Sequence, residues 1–98
     1  MRVDKGVYEF DWDAGNIGKN KKHGVEYWEC EEVFFDQRKV TLKDALHSDG
    51  EARYVTLGKT KHTRLLYLVY TKRKGKIRII SARDCKKRKE IDLYEKAA

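Results

Sequence analysis

The chain has 98 residues, 40% apolar and 40% charged, with a net charge of +7 and no proline. That length supports one modest core, so a single domain over residues 1–98 is expected; no apolar stretch nears the roughly 20 residues of a spanning helix, and the first residues lack a signal-peptide core, so a cytoplasmic address without membrane contact is expected. Charge is uneven: residues 1–51 carry 8 Lys/Arg against 12 Asp/Glu, and residues 52–98 carry 15 against 4, a basic half suited to polyanions such as nucleic acid and an acidic half expected to face away from them.

Residues 8–12 alternate apolar and acidic, which predicts a half-buried strand. Asp13 is placed to cap a first helix that Gly24 ends after His23. Residues 26–35 set Tyr27, Cys30, Val33 and Phe34 at helical spacing among Glu26, Glu29, Glu31 and Glu32, predicting an amphipathic helix with an acidic outside. Residues 40–42 read as a short strand and 47–50 as a turn. Three strands follow, at 53–57 (ended by Gly58), 64–71 and 76–82, joined by links short enough for hairpins. The charged tail from Asp84 reads as a helix on the sheet. The predicted fold is α+β: a small antiparallel meander of three to four strands plus the N-terminal strand, with two N-terminal helices and one C-terminal helix.

Little suggests a metal or cofactor. His23, His47 and His62 lack ligand spacing, no glycine-rich phosphate loop is present, and Cys30 and Cys85 read as small core residues rather than a disulfide. Trp12 and Trp28 read as core anchors. What remains is a set of strand arginines, Arg53, Arg64, Arg78 and Arg83, each needing either an internal carboxylate or an external phosphate for its fork. A ribonuclease that uses RNA's own 2′-hydroxyl needs no metal, only a base, an acid and cations around the phosphate. His23, beside Lys21 and Lys22 at a helix end, is a candidate proton carrier, although helix capping accounts for it equally well. Tyr94 can donate to or stack on a nucleotide, or serve the core. Lys22, Lys86 and Lys87 are candidate RNA contacts. Glu29 and Glu32 are candidates to dock basic residues of a partner, or belong to a solvated face.

Phe10-Asp11-Trp12-Asp13 and then Asn20-x-x-His23-Gly24-Val25, with Lys22 ahead of His23, resemble the opening of the BrnT family. Gly50-Glu51-x-Arg53-x-x-x-x-Gly58 is similar to its middle segment, and Arg78-Ile79-Ile80-Ser81-Ala82-Arg83 to its closing block, followed by a basic helix near Tyr94. The sequence departs from the family at Asn16, where a lysine is common, and at Lys89, where a glutamate is usual and Glu90 follows instead. The resemblance implies a RelE-like fold and a metal-independent ribonuclease toxin of a type II toxin–antitoxin pair. It also implies arrest of translation and neutralisation by the antitoxin BrnA, through which alone promoter DNA is bound. The rival reading from the same residues is a non-catalytic basic module that binds nucleic acid or a protein partner.

Overall fold

The structure is a computed structural model and describes residues 8–44 and 51–97. In chain order it comprises α1 (Ala14–Lys22), α2 (Tyr27–Val33), β1 (Val40–Asp44), β2 (Arg53–Lys59), β3 (Leu65–Arg73), β4 (Lys76–Asp84) and α3 (Arg88–Ala97). The strands form one antiparallel sheet in the order β1-β2-β3-β4. No helix among the described residues is long and apolar enough to cross a membrane. The turn expected at 47–50, with His47, lies outside the described residues.

The alternation at residues 8–12 packs Tyr8, Phe10 and Trp12 against the core, but it makes no strand. Phe10 forms a single parallel bridge with Ile77 at the outer edge of β4, because Asp13 turns the chain into α1 within three residues. Asp13 accepts from the Asn16 amide at 3.1 Å, and the Asn16 side chain accepts from the Asp13 amide at 2.8 Å, a reciprocal cap. Asn16 also donates to the carbonyls of Asp11 and Ile79. The position that departs from the family thus fastens α1 to β4. Gly24 ends the helix at φ +77°.

α2 stops at Val33, two residues earlier than expected. The Asp36 carboxylate takes the amides of Arg38 and Lys59 and holds the chain in a turn. Conversely, β2 runs through Gly58 rather than ending there. A Cβ at Gly58 would stand 2.7 Å from Val33 Cγ1, so glycine is needed where α2 crosses the strand. β4 continues to Asp84, and Cys85 still bonds Leu65, which delays α3 to Arg88. Lys74 and Gly75, at φ 53° and 81°, close the β3–β4 hairpin as a two-residue turn.

The sheet has two covered faces. Leu66, Leu68 and Tyr70 of β3 with Ile77, Ile79 and Ala82 of β4 pack against Val25, Cys30, Val33 and Phe34, on the side of α1 and α2. On the opposite side Val55, Leu57, Leu65, Tyr67 and Val69 meet Cys85 and Tyr94, with α3 lying over β1 and β2. Cys30 is buried, Cys85 is half-buried, and both are free thiols. Trp12 is half-buried, but Trp28 is 50% exposed and does not anchor the core.

Candidate functional site

Strand register decides which arginines share a face. Arg53 pairs with Thr71, and Thr71 with Arg78, so Arg53, Thr71 and Arg78 form one row. Tyr67 pairs with Arg83. Arg78 and Arg83 are five residues apart and would point to opposite faces of a regular strand. A bulge resets the phase: Val69 pairs with Ser81 and Tyr70 with Ile79, leaving Ile80 unmatched. Arg83 therefore emerges beside Tyr67 on the same face as Arg78. On this face α3 lies over β1 and β2, with Tyr94 reaching β3 and Glu90 reaching β4, and Tyr67, Val69, Ser81, Arg53, Arg78 and Arg83 remain half-exposed.

The four strand arginines, any of which could have held an external phosphate, do not converge on one point. With strands about 4.8 Å apart and a rise of about 3.4 Å per residue, Arg53 and Arg78 stand roughly 10 Å apart across Thr71, while Arg83 lies about 14 Å further along β4. Arg64 is not among them. Its Nε and Nη2 donate to Asp84 at 2.7 and 3.1 Å, and its Nη1 donates to Glu29 and to the Gly24 carbonyl at 2.9 Å, on the side of α2. Those bonds push the Arg64 guanidinium further toward its charged form. Arg78 meets Asp13 at 3.0 Å and Asp11 at 3.6 Å, both carboxylates being partly exposed. Arg83 forks onto Glu90 at 2.7 and 3.0 Å and lies 4.0 Å over the Tyr67 ring. Arg53 differs from all three: its Nε is buried and has no hydrogen-bond partner among the described residues.

The expected proton carriers do not sit on this row. His23 is exposed at the end of α1, where its amide bonds the Asn20 carbonyl, and Lys22 is exposed beside it; α1 lies on the opposite side of the sheet. Tyr94 is buried against Val55 and Leu57, and its hydroxyl donates to Asp36 at 2.6 Å. Burial, then the Asp36 carboxylate, pushes the phenol up to about 12. Lys86 and Lys87 are exposed ahead of α3, and the Lys87 carbonyl accepts its first amides.

The acidic outside of α2 is largely committed. Glu29 clasps Arg64 and accepts the Glu26 amide, Glu31 accepts Trp12 Nε1 at 2.8 Å, and Glu32 accepts the Lys61 amide at 3.1 Å. Glu29 is turned inward; Glu32 lines a groove beside α3. The carboxylate that the expected site omitted is Glu51. It pairs with Arg73 at 2.8 Å and feels the charges of Arg53 and Arg78; Arg73's hydrogen bond holds it below the usual carboxylate range. Its position two residues before Arg53 was the available signal. No cluster of three or more His, Cys, Asp or Glu side chains among the described residues has metal-holding geometry.

A search of curated proteins finds no match. The family model described as the ribonuclease toxin BrnT of type II toxin–antitoxin systems matches residues 12–89, a span that runs from the Trp12 contact through the whole arginine face to the start of α3. The chain belongs to the BrnT family of ribonuclease toxins.

Proposed function

We propose that the chain is a metal-independent endoribonuclease that works on the open sheet face and arrests translation in the cytoplasm until a BrnA-like antitoxin masks it. Promoter DNA is bound only through that antitoxin. The observation that carries the reading is the Arg53–Thr71–Arg78 row with Glu51 at its end. Arg53 and Arg78 hold the scissile phosphate. Displacing Arg78 from Asp11 and Asp13 costs little, since both carboxylates face solvent, which screens the pairs. Glu51, ionised at neutral pH, takes the 2′-hydroxyl proton as that oxygen attacks phosphorus. The bond to the 5′-oxygen breaks, and this oxygen takes its proton from solvent. Arg83, Lys86 and Lys87 meet neighbouring phosphates. The base role once open to His23 and Tyr94 passes to Glu51, the acid role passes to solvent, and Lys22 is left outside the RNA path.

Purified protein incubated with RNA and excess chelator should yield fragments ending in 2′,3′-cyclic phosphate. Arg53→Ala should slow cleavage about 100-fold or more, the loss expected for one preorganised donor to a transition-state oxyanion. Cleavage abolished by chelator removes the metal-free mechanism. The rival binding-module reading draws on the internal acids already held by Arg78 and Arg83; it requires salt-sensitive RNA retention and no product.

A further inference from the structure

Between α2 and α3 runs a groove of about 840 Å³, remote from the Arg53–Arg78 row. Trp28 and Phe35 stand 50% and 49% exposed along its wall, and Tyr94 lies among its lining residues. Two large rings seven residues apart, left in solvent by a chain with so small a core, mark a contact surface. The charges on the walls are not equivalent. Glu31, Glu32 and Asp36 already accept from Trp12 Nε1, the Lys61 amide, and the Tyr94 hydroxyl with the Lys59 amide respectively. The cations are unspent. Arg38 and Lys61 have no ion pair among the described residues, and Lys59 meets only the Tyr94 ring, 5.6 Å from its centroid.

We propose that this groove receives an acidic amphipathic segment of the antitoxin, with apolar side chains seated on Trp28 and Phe35 and carboxylates set against Arg38, Lys59 and Lys61. The sign of the partner is therefore opposite to what the glutamates of α2 alone suggest. The inference takes from the toxin reading only that an antitoxin exists.

The test uses the full chain and, as probe, the antitoxin encoded with it, titrated against wild type, Trp28→Ala and the double variant Lys59→Glu/Lys61→Glu, with RNA cleavage measured on each. Trp28→Ala should weaken the complex about 30-fold or more, as loss of an aromatic anchor does. The charge reversal should weaken it and flatten its salt dependence, and both variants should cut RNA at the wild-type rate. Affinity unchanged in both variants, or no complex with wild type, overturns the proposal. So does RNA cleavage lost on charge reversal, which would assign the groove to nucleic acid. If wild type cuts no RNA yet the two complexes weaken as stated, the ribonuclease reading fails and the docking surface stands.

Discussion

Arg64 and Arg53 carry the same guanidinium in opposite surroundings. Arg64 ties Glu29 and the Gly24 carbonyl to Asp84, so its removal leaves two carboxylates unpaired. Arg64→Ala should cost about 2–3 kcal/mol in denaturant unfolding at pH 7, while each folded molecule still cuts RNA. The Arg64 hydrogen bond holds Asp84 below the usual carboxylate range. A depressed folded pKa stabilises fully above the unfolded value near 4 and is lost as pH falls below it. The gap between wild type and Arg64→Ala should therefore narrow from pH 5 to pH 3; a gap that stays constant would show that the ion pair contributes nothing to it. Glu51 gives a second pH test. Because Arg73 keeps it ionised well into acid, the rate of cleavage should hold level from pH 7 down to about 5, whereas an imidazole base would set a falling limb near neutrality.

At the scale of elements, hydrophobic period and capping residues made the helices and hairpins legible: Asp13 and Gly24 bound α1 as read, and the strand expected at 76–82 is β4, with Ile77 and Ile79 facing the core. What escaped were events that depend on a neighbour. Gly58 reads as a strand end until Val33 is seen to press on it. The bulge at Ile80 changes the face of Arg83 and follows from pairing with β3, which no local pattern in 76–82 announces. Glu51 stood in the sequence as a carboxylate within reach of the strand arginines, but its partner, Arg73, is set only once the hairpin has folded. α3 is held by a similar long-range contact, the Tyr94 bond to Asp36. Its raised pKa means that the bond stabilises fully below about pH 10, the unfolded value, and is lost as pH climbs through about 12. Tyr94→Phe should cost about 1–2 kcal/mol at pH 7, and its difference from wild type should vanish toward pH 12 in unfolding curves recorded across that range.

Across the whole molecule, the two oppositely charged halves of the chain do not simply face apart. Glu29 of the acidic half clasps Arg64, Asp11 and Asp13 meet Arg78, and Glu51 holds Arg73, so part of the basic excess is neutralised inside the fold. Among the described residues, the cations that RNA on the sheet face would draw on are Arg53, then Arg78 and Arg83 once they exchange their carboxylates for phosphates, with Lys86 and Lys87 ahead of α3. If RNA lies along that face, about five phosphates are met, and for a single strand the logarithm of affinity should fall with the logarithm of salt at a slope of roughly −3.5. Lys86→Ala with Lys87→Ala should make that slope shallower by about 1.4. Lys22→Ala, at the end of α1 on the other side of the sheet, should leave it unchanged. Filter binding of an uncleavable 2′-deoxy oligonucleotide at several salt concentrations reads all three slopes; a shift with Lys22→Ala as large as that of one lysine on the α3 side would move the RNA path to the helical face.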